Sequence, residues 1–150
     1  MDAKYLFGQW QAVRKGLVQA LDKLTDEQLM FTPREGLWPI GTVASHIAET
    51  DELWLRYFIH GKYPDSWDGW DVAHYHTISA VKDLLAETHQ RTEQWLDTLS
   101  NDDLDREVAL PWGSVISLGW CIWHVLEHEI HHRGEIYLML GLLGMEAPDV

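Results

Sequence analysis

Cysteine is nearly absent. Cys121 is the only one in 150 residues, which excludes an internal disulfide and fits a reducing cytoplasm. Basic residues are also scarce, 11 against 24 acidic, giving a formal charge of −13. A nucleic-acid surface gains affinity by replacing counterions with Lys and Arg, and no basic cluster offsets the average, so nucleic acid is not expected as a partner. No apolar run reaches the roughly 18 residues of a membrane span. Met1 to Tyr5 lacks the basic region and apolar core of a secretory signal. These absences predict a cytoplasmic protein with neither membrane nor nucleic acid as partner. Strand patterns are missing too.

What is present is helical. Apolar content of 46% and charged content of 23% are those of a globular protein, and the length predicts one domain over residues 1–150. The first helix is expected from about Ala3 to Leu24, with Leu6, Trp10, Val13, Leu17, Leu21 and Leu24 at steps of three or four. Thr25 to Gln28 reads as a cap opening a short turn. The second helix begins near Thr42 and ends at Gly61, with Val43, His46, Ile47, Thr50, Trp54, Tyr57 and Phe58 on its inward stripe. Residues 61–76 are too long for a tight turn, and they suit a crossover along a bundle. A third helix spans Thr77 to Leu99, and a loop containing Pro111-Trp112-Gly113 follows. The last helix runs from Ser117 to Leu143, where Gly144 stops it. Its seam is Cys121, Val125, His128, His132, Ile136 and Met139. The expected fold is all-α: a four-helix bundle with a long crossover between helices two and three.

Nine tryptophans stand out. Most are read as core filling and pinned loops. A subset, Trp38, Trp67, Trp70 and Trp112, is a candidate lining for an apolar pocket or partner surface.

The stretch HVLEHEIHHRG, residues 124–134, holds four histidines. His128 and His132 lie four apart on the seam, about 40° apart in rotation and about 6 Å in rise, so both rings can point at one ion. His46 sits on the apolar stripe of another helix. Burying three imidazoles costs free energy unless each finds a partner, and a shared metal satisfies all three. The candidate ligands are therefore His46, His128 and His132, with His124 and His131 as substitutes or supporting hydrogen-bonders.

His128 to His132 also reads H-E-x-x-H, the zinc-peptidase signature. The metzincin extension needs Gly and then His where this chain has Glu135 and Leu138. Without strands to align a peptide, the protease reading is rejected. Glu129 follows a ligand by one residue and points about 100° away, so it is expected to face solvent. Glu49, Glu127 and Glu129 are the candidate proton acceptors, and Glu49, one turn beyond His46, is also placed to orient a ligand or a bound water. No catalytic residue is assigned and no organic cofactor is expected.

Two segments carry a family resemblance. WPIGTVASHIAETDELW (38–54) and LPWGSVISLGWCIWHVLEHEIHHRGEIYLMLGLLG (110–144) resemble the helix-two and last-helix motifs of the DinB/YfiT-like superfamily of metal-binding four-helix bundles. Carried over by position, the resemblance places the ligands on the same three residues, His46, His128 and His132. It implies a divalent metal (zinc, nickel or iron) and activation of a low-molecular-weight thiol or water against a small electrophile, as in S-transferases or hydrolases. Where many relatives have Gln after Arg-Gly, this chain has Glu135, which adds a negative group near the site. Gly134 inside the helix predicts close approach by a neighbouring helix or space beside the metal. Arg133 is expected either to pair with an acid on another helix or to lie exposed. The alternative function is a non-catalytic, metal-stabilised binding or interaction module. An exposed apolar or tryptophan-bearing face suits a homodimer.

Overall fold

The computed structural model describes residues 3–66 and 75–149. Trp67, Trp70 and His74 lie outside the described residues. The first helical pattern is split into α1 (Ala3–Leu6) and α2 (Trp10–Leu21), with a turn through Gly8, the residue with the least helical preference in that stretch. Thr25 and Gln28 form a reciprocal capping box at the 3-10 turn Asp26–Met30. The second pattern becomes α3 (Ile40–Glu52), capped at Pro39 rather than Thr42. It continues as one π turn, Leu53–Tyr57, and a 3-10 turn, Phe58–His60. Left-handed Gly61, φ 69°, ends it. The third is α4 (Ile78–Leu96), whose N-cap Thr77 accepts from Ala80 N–H.

The loop before the last helix holds more structure than its sequence suggests. A short α5 (Asn101–Leu104) leads into β1 (Glu107–Ala109), which pairs antiparallel with β2 (Val115–Ser117). Strands of three residues are too short to display an alternating pattern, which is why none was expected. Gly113, at φ 90°, makes the turn between them. Ser117 then caps α6 (Leu118–Leu142) by accepting from Trp120 N–H. The four helices α2, α3, α4 and α6 form the expected bundle, with α3 against both α4 and α6 and α2 against α6.

Two apolar clusters fill the bundle. One is built on Leu17, Leu21, Ile40, Ile47, Leu85, Ile136 and Leu140. The other holds Trp10, Leu55, Leu96, Leu118, Ile122 and Leu126. Between them every helix contributes polar residues. Arg14 of α2 forms a two-pronged pair with Glu129 of α6, at 2.6 and 2.7 Å. Trp10 Nε1 donates to the same carboxylate at 2.7 Å, and Arg14 also donates to the Leu85 carbonyl of α4 at 2.6 Å. Asp51 of α3 lies 3.8 Å from Arg14 and accepts from Thr92 of α4 at 2.6 Å. Arg14, Asp51 and Glu129 are all buried. This layer joins all four helices at mid-height, and the histidine trio sits at the same level between α3 and α6.

Candidate metal centre

His46 projects from α3, and His128 and His132 from successive turns of α6. Nε2 of His128 lies 3.1 Å from Nε2 of His46 and 3.1 Å from Nε2 of His132. Two imidazoles about 2.0–2.1 Å from a tetrahedral zinc would hold their nitrogens about 3.3 Å apart. The observed spacings come within a few tenths of an ångström of that value. The three residues fall inside one 4.8 Å cluster of ligand atoms.

Proton bookkeeping strengthens the fit. His46 Nδ1 lies 3.0 Å from Glu49 Oε2, and His132 Nδ1 lies 2.7 Å from Glu135 Oε2. An ionised carboxylate only accepts, so each Nδ1 donates and each Nε2 is the atom turned inward. Burial lowers the His132 imidazole and keeps that ring neutral. Burial, and then proximity to His132 and His46, pushes the His128 imidazole down to about 3, so it is neutral as well. One ring nitrogen cannot donate to two lone pairs. A cation at the centre satisfies all three at once.

Polar and apolar surroundings divide cleanly. Thr50 Oγ1, on α3 one turn beyond His46, lies 3.4 Å from His128 Nε2. Trp38 packs edge-on against His46 at 4.9 Å. A cavity of about 420 Å³ opens beside the trio, lined by Pro33, Leu37, Trp38 and Met139, with His132 and Glu135 as its polar members. On the opposite side stands an aromatic wall. The π turn brings Trp54 to 4.6 Å from His124, which stacks flat on Trp120 at 5.0 Å. Trp112 of the hairpin meets Trp54 and Phe58 at 5.6 and 5.3 Å. A π turn of this kind re-aims the side chains that follow it, and such turns concentrate at functional sites.

The structure brings His46, His128 and His132 together and leaves the two substitutes outside. The His124 ring centre is 6.5 Å from that of His128, held in the aromatic stack. His131 is exposed and reaches Glu135 at 3.2 Å, forming with His132 and Glu135 a second, more exposed group of possible ligand atoms at the rim that excludes His46 and His128. Of the proposed proton acceptors, Glu49 touches the trio and Glu127 is exposed. Glu129 corrects the expectation: it is 1% exposed and bound to Arg14 and Trp10 on the far side of α6. A helix packed on two sides buries residues about 100° from its seam. The glutamate of H-E-x-x-H is thus committed to the polar layer.

Two further expectations narrow or fail. Gly134 has no neighbour among the described residues within 4 Å of where a Cβ would stand, which removes close approach by a helix and leaves only the alternative of open space. Arg133 is buried, yet it forms no ion pair among the described residues and lies over the Tyr137 ring instead, 5.4 Å from its centre. Glu49 stands where it was expected to be able to orient the His46 ring. Glu135 was expected only as a negative group near the site, although it too stands three residues after its histidine, the i to i+3 spacing of one helix face.

Comparisons with known proteins agree with this architecture. Residues 9–136 match the model of the DinB superfamily. Uncharacterized protein YizA of Bacillus subtilis is 29% identical over 135 residues, covering 89% of this chain and 82% of YizA. The solved structure of YfiT from Bacillus subtilis, described as a probable metal-dependent hydrolase with an unusual four-helix bundle topology, superposes with a TM-score of 0.78 at 22% identity, over 96% of this chain and 89% of YfiT. A mycothiol-dependent maleylpyruvate isomerase shares the fold at TM-score 0.66 and 12% identity, over 91% of this chain and 61% of its own. ClbS, a colibactin self-resistance protein solved with double-stranded DNA, does so at 0.69 and 15%, over 93% and 95%. By family match and by fold, this chain belongs to the DinB superfamily.

Proposed function

We propose that His46, His128 and His132 hold one divalent metal, zinc, nickel or iron, and that the chain uses it to activate a low-molecular-weight thiol or water against a small electrophile, as an S-transferase or hydrolase. The observation that carries this reading is the convergence of three Nε2 atoms at 3.1 Å spacings, with the His46 and His132 rings turned inward by their Nδ1 contacts to Glu49 and Glu135. Three protein ligands leave open positions, the catalytic rather than the structural pattern. Such an ion lowers the pKa of a thiol or water and polarises an electrophile.

The chain's own residues supply the rest. Glu49 and Glu135 keep the ligand rings in register. Thr50 presents a hydroxyl at the centre, able to orient a polar group there. The cavity beside His132 excludes water from an apolar substrate through Leu37, Trp38 and Met139. Support from relatives is twofold: YfiT is called metal-dependent, and the isomerase of the same fold is called mycothiol-dependent. No described helix is long and apolar enough to cross a membrane. With a charge of −13, we place the chain in the cytoplasm and assign it no nucleic-acid partner, in contrast to ClbS. Exposed Trp120 and Trp123 on α6 offer a face for a homodimer.

Elemental mass spectrometry on tag-free protein prepared without chelator tests the site. About one zinc, nickel or iron per chain, lost in His128→Ala, is the expected result. Protein that stays metal-free after incubation with all three ions overturns it. A thiol titrated into the cobalt-substituted protein should change its visible spectrum; a closed, purely stabilising site would not respond, and chelation would then unfold the bundle.

A further inference from the structure

On the α2 side of α6 lies a second polar feature, unconnected to the trio. Arg133 is 8% exposed, but its guanidinium has neither carboxylate nor hydrogen-bond acceptor among the described residues. Arg14, likewise buried, is fully matched by Glu129. The Tyr137 hydroxyl, also buried, has no partner either. Both groups gather at Gly16, where a Cβ would stand 2.5 Å from Tyr137 Oη and 3.3 Å from Arg133 Nη1. The missing side chain leaves room for them against α2.

Arg133 faces a groove of about 300 Å³ lined by Gln9, Lys15, Gly16, Gln19 and Asp149. With 24 acidic residues available in the chain, a buried arginine without one is the exception. The Arg133 side chain is buried along its stem while the guanidinium stays open to the groove rather than sealed without a partner, and the planar fork matches two oxygens of one anion. Lys15, exposed at the rim, adds a second positive charge, and Gln9 and Gln19 offer amide donors.

We propose that this groove binds a small oxyanion, a phosphate or carboxylate group, through the Arg133 fork with Lys15 at its edge. The metal-loaded protein is titrated with sodium phosphate and separately with sodium acetate, against sodium chloride at equal ionic strength, by calorimetry and thermal melting. A saturable rise in melting midpoint is expected for one or both oxyanions, and the stronger identifies the class. Arg133→Met should weaken that binding at least about tenfold, and Lys15→Ala about twofold to fivefold.

An absent response in the wild type, or unchanged affinity in Arg133→Met, overturns the site. Should Arg133→Met fail to fold, Lys15→Ala decides, and unchanged affinity there is equally fatal. Phosphate held at the histidine trio would instead be lost in His128→Ala and kept in Arg133→Met, which also refutes the groove. If Asp149 is itself the occupant, Asp149→Asn lowers the midpoint while the wild type ignores both anions; that pattern overturns the proposal too.

Discussion

The Nε2 atoms of His128 and His46 face each other at 3.1 Å across 82 residues of sequence. Two imidazole nitrogens at that distance are joined either by one shared proton or by one shared ion. Glu49 takes the Nδ1 hydrogen of His46 and Glu135 that of His132. Both flanking Nε2 atoms are therefore acceptors, and a single Nε2–H on His128 could serve only one of them.

That role makes the two glutamates measurable. Glu49→Ala and Glu135→Ala should each weaken zinc about 10–100-fold, the usual cost of losing an outer partner of a ligand histidine. Glu135→Gln keeps an acceptor for His132 Nδ1 and should lose less. Competition with a chromophoric chelator reads all three; wild-type affinity in both alanine variants would mean that the carboxylates orient nothing.

The metal-free protein should have an acid limb with opposing components. Burial lowers the His128 pKa from 6.5 to about 3, and His132 is lowered for the same reason. The unfolded chain therefore takes up these protons first, so the stability they contribute is complete above pH 6.5 and is lost as pH falls. Burial raises Asp51 from 3.8 to about 6, so its contribution is complete below 3.8 and is lost as pH rises through about 6. Between those values it offsets part of the histidine slope. Asp51→Asn should steepen the loss of stability from pH 6 to pH 4 by about one proton. Urea titrations across that range test this, and parallel slopes would refute it.

The Arg14–Glu129 pair predicts an asymmetry between single and double variants. Arg14→Met leaves a buried carboxylate with only the Trp10 indole, and should cost about 3–5 kcal/mol. Arg14→Met combined with Glu129→Leu removes both charges and should recover most of that loss in chemical denaturation. Glu129→Gln should keep its metal, because this carboxylate faces the polar layer. Loss of metal in Glu129→Gln would instead place it in the site.

Two glycines should respond in opposite directions. Gly134→Ala meets no neighbour and should stabilise by up to about 1 kcal/mol, the helix-propensity difference. Gly16→Ala drives a methyl against the Tyr137 hydroxyl and should cost about 1–3 kcal/mol. Tyr137→Phe removes that oxygen, which has no hydrogen-bond partner, and should relieve most of the cost. Thermal melts of the three single variants and the Gly16/Tyr137 double variant complete the cycle.

The histidine trio was legible because its members sit on helical stripes, and stripes are a property of local spacing. His128 and His132 share a face by arithmetic, and His46 interrupts an apolar row. The polar layer was not legible. Arg14, Asp51 and Glu129 come from three helices, and each alone reads as an ordinary surface charge. One signal was available: α6 carries apolar residues around most of its circumference, and such a helix packs on more than one side. Taken seriously, that pattern places Glu129 inside. The hairpin at 107–117 escaped because three-residue strands carry no period. The break at Gly8 escaped because an apolar stripe continues across it.

The polar layer has a consequence for how the chain would acquire its ion. Arg14 and Glu129 lock α2 to α6, and Asp51 and Thr92 lock α3 to α4, with the Arg14–Leu85 bond crossing between the pairs. Alignment of α3 with α6, on which the three imidazoles depend, is therefore set by bonds that involve no histidine. On the proposed reading the site would be a socket in a finished frame rather than a rivet that holds the frame closed. An ion held there would then exchange without passing through the unfolded chain, and loading should be limited by access past Trp38 and not by refolding.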